Sequence, residues 1–523
     1  MNFKLVIRLI LCCAIFFSRP VFSQVVYERH TSEVYNFLAR LSQKGIIVFD
    51  DLIRPISKQK IGQALDSVAV HENVLSSIEK KELAFYQREF TEGARKRILS
   101  AGNADFSIQA DPIVTASYLS GSGKDIKTTS SGINLWGRIG NKWGFQFAFH
   151  DVNASGTGFD TSRKGLEAGS ETGPILINAY KKNSQNFLEI RGHISYQFKN
   201  GSISAGQDYL LWGYGENGRI VLSDKAPTYP YIRLDYQPFP WLRFNYTHAW
   251  LQSGLIDSSR SYSIPSGIYG GIREVDITKY MASHSIDFTL KKGLNFTLGE
   301  SIIYNDNLNI GYLVPIMFFK AIDNYNGASG IEKGSNGQFF FQLSSRNQLP
   351  KTHLYGTLFI DEIKLGTIFS KEKQRNQLGY TVGGSVTDLL GIPYLTAGLE
   401  YTRIRPFVYR NFLPAQDYTN AGYLLGDWMG SNADRIMGFV KYTPLPKLKL
   451  QLRYSHIRKG GPGTLDQQYQ QQPQPPFLFD FQRKADELFV SASYEYLHRL
   501  YLNTYMKRLD KNQTFFIGMT YGL

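Results

Sequence analysis

A transmembrane β-barrel of about eighteen antiparallel strands, all-β apart from a small N-terminal periplasmic helical bundle, is the fold class this chain predicts. Three observations predict it. Apolar and polar residues alternate through one segment after another: Leu448, Leu450, Leu452 and Tyr454 interleave with Lys449, Gln451, Arg453 and Ser455, and the pattern recurs to Tyr521. The connections between these segments alternate between very short and very long, and a leader for export precedes them all.

The leader is read at residues 1–23. Lys4 and Arg8 flank the start of an apolar stretch from Leu5 to Phe17, and Val21-Phe22-Ser23 offers a small-residue cleavage site ahead of Gln24. Both cysteines, Cys12 and Cys13, lie inside it, so the exported chain carries no thiol for a disulfide, a metal or a nucleophile. A lipid anchor on Cys12 is disfavoured, because Leu11 is not small and the apolar run continues past it. Beyond the leader no apolar run approaches the ~18 residues of a spanning helix, and the longest candidate, from Tyr312 to Phe319, is broken by Pro315. Aromatic residues at 14% and 48 glycines suit a barrel instead. The net charge of +14, three units of which leave with Lys4, Arg8 and Arg19, is compatible with acidic polymers or anionic lipopolysaccharide. The positive residues are scattered rather than gathered on one face, which argues against a nucleic-acid partner.

The mature chain divides into a helical region at 24–100 and a barrel at 101–523. Thr31 or Ser32 can cap a first helix with Val34, Phe37, Leu38 and Leu41 on one face, ended by Gly45. A second helix follows Ser57 with Ile61, Leu65 and Val68, and a third runs from Ser76 or Ser77 through Ile78, Leu83, Tyr86 and Phe90. Their apolar stripes can be buried against one another or against a barrel rim; the alternative is a solvated helical linker.

From about residue 104 the period becomes two. Strands are predicted at 104–118, 131–139, 143–152, 187–198, 202–212, 231–238, 241–252, 282–291, 294–304, 336–345, 353–363, 378–388, 393–404, 434–444, 447–458, 485–497, 499–507 and 512–521. Short turns such as Gly140-Asn141-Lys142 and Lys292-Gly293 alternate with long connections at 153–186, 213–230, 253–281, 305–335, 405–433 and 459–484. Tight periplasmic turns opposite long outer loops produce this rhythm and place both barrel ends on the periplasmic side. The faces follow. Leu188, Ile190, Ile194 and Tyr196 face lipid, with Glu189, Arg191, His193 and Gln197 in the lumen; Leu242, Phe244, Tyr246, His248 and Trp250 face lipid, with Arg243, Asn245 and Thr247 inside. Charges of both signs predict a lumen that is wet or plugged by polar loops.

The segment 202–234 carries the most specific chemistry. Continuing the alternation, Asp208 and Trp212 share the inward face near the outer mouth, followed by Tyr214, Glu216 and Arg219 in a glycine-rich stretch. Sugars are held by aromatic faces against the ring and planar polar groups on the hydroxyls, and this mixture fits; the alternative is a glycine-rich loop folded back into the barrel. The match to G-x-G-x-x-G is discounted, since no helix follows to cradle a phosphate. Catalytic, metal and cofactor sites are not expected: His150-Asp151 has no accompanying serine signature, and nine histidines show no ligand spacing.

The stretch GQDYLLWGYGENGRIVLSDKAPTYPYIRL resembles the signature of the Wzi-type capsule assembly family. RLSQKGIIVFDDLIRPISKQKIGQAL, at 40–65, is similar to that family's helical N-terminal region, and EYTRIRPFVYRNF with YTNAGYLLGDWMGSNADR, at 400–435, to its late barrel segment. The resemblance implies an eighteen-stranded outer-membrane barrel with a periplasmic helical bundle, acting as a non-enzymatic lectin that holds capsular polysaccharide or exopolysaccharide at the cell surface. Candidate carbohydrate contacts are Asp208, Trp212, Tyr214, Glu216, Arg219, Asp427 and Trp428. The competing expectations are a porin-like channel and a scaffold for secretion or motility machinery, docked through residues 31–95.

Overall fold

The computed structural model describes residues 26–90, 97–103, 105–265, 270–328, 334–370 and 372–522, so the leader expected at 1–23 lies outside the described residues. Eighteen antiparallel strands close into a barrel. They are β1 Phe106–Gly121, β2 Lys124–Ile139, β3 Trp143–Thr157, β4 Ser184–Phe198, β5 Gly201–Asp208, β6 Tyr229–Phe239, β7 Leu242–Ile256, β8 Asp276–Lys291, β9 Leu294–Asn305, β10 Asn336–Arg346, β11 Thr352–Ile363, β12 Asn376–Thr387, β13 Thr396–Ile404, β14 Ala433–Tyr442, β15 Leu448–Gly460, β16 Phe481–Leu497, β17 Leu500–Leu509 and β18 Asn512–Tyr521. Closure pairs β18 with β1, from Phe515 opposite Ser120 to Tyr521 opposite Val114.

The alternation does what the pleat requires. Leu188, Ile190 and Ile194 are exposed on the outer wall of β4, whereas Arg191 and His193 are buried in the lumen. Near the short turns the outer wall carries an aromatic girdle: Trp241 stacks between Phe239 and Phe288 at 5.5 and 6.4 Å, and Trp143 meets Tyr196 at 4.9 Å. Several strands run beyond their expected bounds, β8 from Asp276 rather than 282 and β3 to Thr157 rather than 152 among them, and two differences are instructive. β2 begins at Lys124 rather than 131, and it joins β1 through Ser122-Gly123 as an extended hairpin. The DIKTTSS stretch lacks apolar alternation because both of its faces stand beyond the apolar belt. β5 ends at Asp208 rather than 212, and the chain then turns into the lumen.

The helices are α1 Glu33–Gln43, α2 Lys58–Ala69 and α3 Ser77–Phe90. Ser57 caps α2 by accepting the Lys60 amide at 3.3 Å, and Gly45 ends α1 at φ +76°, a conformation that suits glycine. Val34, Phe37, Leu38, Leu41, Ile61, Leu65, Val68, Leu83 and Tyr86 share one core, in which each large side chain contributes about 1.5–3 kcal/mol. The bundle sits at the short-turn end, tied there by charge. Arg40 pairs with Asp388 at 3.0 Å, Arg499 with Glu28 at 2.8 Å, and Lys449 with Glu82.

Candidate functional site

The lumen is filled. The connection 209–228 descends into it, and Leu211–Trp212 pairs antiparallel with Ile53–Arg54, which enters from the helical end; the Gly213 amide donates to the Leu52 carbonyl at 2.9 Å. The connection 405–432 folds in from the outer end. Together they form an apolar core of Leu52, Leu210, Trp212, Val221, Tyr409 and Tyr418, joined by Phe340 and Phe359 from the wall. The expectation of a wet lumen or polar plug is corrected here: the plug is apolar at its centre, because Leu210, Leu211, Ile220, Val221 and Leu222 leave the sheet and need a dry surface.

Polar anchors surround this core. Arg435 lies fully buried between Glu400 at 3.4 Å and Asp427 at 3.2 Å, while Glu400 also accepts the Tyr355 hydroxyl and the Glu216 amide, each at 2.7 Å. Asp51 accepts from Arg346 and Arg54, and those two cations hold its carboxyl well below the usual range despite a burial that opposes ionisation. Lys225 donates to the carbonyls of Gly169 and Thr172, and burial pushes its ammonium down to about 8.

The seven residues singled out from the sequence are spread over five places. Trp212 is only 2% exposed, packed edge-on against Phe340 at 5.6 Å; it is neither on the inward face of an outer strand end nor open to a sugar ring. Tyr214, Glu216 and Arg219 lie deep in the lumen rather than at the outer mouth. They line a cavity of about 420 Å³ facing α1, where the Tyr214 hydroxyl donates to Asp50 at 2.7 Å and Glu216 pairs with Lys441. Asp208 stays at the end of β5, 3.8 Å from Arg191. Asp427 is fully buried under the loop it belongs to, and Gly218 passes so close that a Cβ there would collide with its carboxylate. Trp428 alone of the seven borders the outer cleft, with its indole nitrogen donating to the Asn217 carbonyl at 2.6 Å. The neighbours His150 and Asp151 point to opposite faces of β3; the histidine is buried 4.0 Å from Glu189 and Asp151 is exposed.

That cleft, about 330 Å³, lies between the connections 158–183 and 405–432 and is bordered by Lys164, Leu166, Arg410, Trp428 and Lys459. A smaller recess beside it adds Tyr423, whose ring centre is 4.8 Å from the Lys164 ammonium. Among the described residues Lys164, Arg410 and Lys459 make no ion pair; Arg410 and Lys459 donate to backbone carbonyls instead. Lys164, Arg410, Tyr423 and Lys459 were not among the sequence candidates. Tyr423 stands five residues before Trp428 in the stretch that carried the family resemblance, so a signal for it was present; the lysines gave none.

An apolar belt, a girdle of aromatics, short turns at one end and a lumen entered by loops with a cleft at the other define an outer-membrane β-barrel. The sequence profile of the capsule assembly protein Wzi family matches residues 105–508, and the chain belongs to that family. The structure of Wzi from Escherichia coli, an outer membrane protein involved in group 1 capsule assembly and described as a carbohydrate-binding β-barrel, matches with a TM-score of 0.60 at 14% identity, covering 96% of this chain and 99% of that one. OccAB4 of Acinetobacter baumannii matches with a TM-score of 0.44 at 9% identity, covering 80% of this chain and 98% of that one. OpdK of Pseudomonas aeruginosa, solved with vanillate, matches with a TM-score of 0.43 at 10% identity over 79% and 98%. Among curated protein sequences there is no match.

Proposed function

We propose that this protein is a non-enzymatic, lectin-like component of capsule or exopolysaccharide assembly that holds an acidic polysaccharide at the outer cleft. One observation carries the reading: cations without carboxylate partners stand beside aromatic rings at the outer end of a barrel whose lumen is closed. Lys164, Arg410 and Lys459 offer charge to uronate or other acidic groups, and the largely buried rings of Trp428 and Tyr423 back them. The filled lumen disfavours the porin reading. Docking of export machinery through residues 31–95 is the secondary reading, favoured only by exposed Val70 and Val74 between α2 and α3.

Binding of a purified acidic capsular polysaccharide to the detergent-solubilised protein tests this. Lys164→Gln combined with Lys459→Gln is expected to weaken binding at least tenfold at low salt, since each charge-assisted contact contributes about 1.5–3 kcal/mol. Equal binding by parent and variant would overturn the placement, and no binding of any acidic polymer by the parent would overturn the function.

A further inference from the structure

The connection 306–335 behaves unlike the loops that fill the lumen. Its described part folds down over the outside of the barrel. On β7, β8 and β9 the outward face carries Tyr246 opposite His284 and His284 opposite Glu300, with His248 opposite Ala282 and Tyr304 opposite Tyr280. The helix Phe319–Ala328 begins directly on this wall: the Phe319 and Lys320 amides donate to the two carboxylate oxygens of Glu300 at 2.9 and 2.6 Å. Before it, the Tyr246 hydroxyl donates to the Tyr312 carbonyl at 2.8 Å, and His284 Nδ1 lies 2.9 Å from the Pro315 carbonyl, with its ring 4.4 Å from that of Phe319. Tyr312 and Phe319 are fully buried against Ala282, Ile302 and Tyr304.

The opposite side of this segment is apolar and uncovered. Ile310 is 75% exposed and Ile316 82%, and Met317 and Phe318 are exposed between them and the wall residue Phe339, 6.0 Å from Phe318. The surface is continuous with the belt formed by Leu298, Phe341 and Leu343. Depth can be reckoned from the strand. Glu300 lies six residues up β9 from the short turn, about 20 Å along the strand at ~3.3 Å per residue, or about 15 Å up a band of ~25 Å for a strand tilted ~40°. A carboxylate at that height cannot face acyl chains alone, and the amides of the incoming helix satisfy it.

We propose that residues 306–328 form a membrane-embedded flap. It is seated on the lipid-facing wall, screens the Glu300–His284 pair, and presents Ile310, Ile316, Met317 and Phe318 to the acyl chains of the outer leaflet. The occupant of this face is lipid, because the face extends the belt without a break and at the same depth.

With residues 1–23 removed the chain has no cysteine, so single nitroxide labels can be placed without interference. Labels go on Ile316→Cys and Phe318→Cys, with Leu298→Cys as a belt control and Leu365→Cys in the exposed outer connection 364–375 as an aqueous control. The full mature chain is inserted into phosphatidylcholine–phosphatidylglycerol vesicles, and collision rates with oxygen and with a water-soluble nickel chelate are compared. Labels at 316 and 318 are expected to favour oxygen several-fold over the chelate, as at 298. Chelate accessibility matching that at 365 would overturn the proposal. So would dipolar broadening between labels on different molecules, which would make the occupant a second copy of the chain. All four positions are exposed, so the variants retain the parent's packing.

Discussion

Replacing Arg435 by methionine should show how dry the lumen is. The guanidinium is wholly enclosed and is the counter-charge to both Glu400 and Asp427. Methionine keeps most of the volume and removes the charge, so two buried carboxylates face each other uncompensated. Breaking a buried ion pair from one side costs about 3–5 kcal/mol. At 1.4 kcal/mol per factor of ten, that lowers the folding equilibrium by about two to four powers of ten. The damage is unequally shared. Glu400 keeps the Tyr355 hydroxyl and the Glu216 amide, whereas Asp427 keeps the Met429 amide at 3.0 Å. Asp427→Asn added to Arg435→Met should therefore recover more stability than Glu400→Gln added to it. Urea unfolding of vesicle-inserted protein, followed by indole fluorescence, reads both effects; Trp428, whose ring centre is 5.3 Å from the guanidinium carbon, is a local reporter. If Arg435→Met unfolded within about 1 kcal/mol of the parent, the value typical of solvated pairs, water would reach this cluster and the closed lumen would be refuted.

Docking of the helical bundle should weaken in alkali. Burial opposes the charge on His498, but Glu89, Glu28 and Glu495 outweigh it and hold the imidazole up at about 9. The folded value is raised above the unfolded ~6.5, so the contribution, about 3 kcal/mol, is complete below pH ~6.5 and is lost as pH rises through about 9. Hydrogen exchange in α3 should accelerate between pH 7 and 10 beyond its intrinsic rate; an unchanged protection factor would contradict the pairing. In planar bilayers the parent should pass little current, and replacing 209–228 by a short glycine-serine turn should raise conductance sharply, whereas an already conductive parent would rule out the plug. Gly218→Ala should destabilise the protein by about 1–3 kcal/mol, the usual cost of overpacking, because the new methyl group meets the Asp427 carboxylate; an unchanged urea midpoint would refute that contact.

The barrel was legible because one face of each strand is chosen by lipid, which forces a period of two that any reader of Leu448 to Ser455 can see. Where lipid does not choose, the pattern fails, as at Lys124–Ser131. The helices were legible from caps and spacing, Ser57 and Gly45 included. The interior was not legible, since what fills it depends on contacts between segments far apart in the chain. A sign was present nonetheless: the apolar run Leu210-Leu211-Trp212 leads straight into Gly213-Tyr214-Gly215, and this break marks the stretch where the chain leaves the sheet. His248 was a similar sign. A histidine on the lipid side called for a cover, and the segment 306–328 lies over that wall, its Tyr312 against the Tyr304 that bonds His248 at 2.7 Å.

The pairing of Ile53–Arg54 with Leu211–Trp212 has a bearing on assembly. One partner arrives from the helical end and the other from the opposite end, yet they meet by main-chain hydrogen bonds in the middle of a closed ring. A cylinder sealed first would have to let both in through its two ends, past Arg346 below and the Arg435 cluster above. The economical order is the reverse: the strands wrap around the paired segments until β18 reaches β1, with Tyr409 and Tyr418 of the later chain completing the same core. Once sealed, the ring holds a segment from each end paired at its centre, so a pull on the 209–228 connection would be felt at Ile53–Arg54.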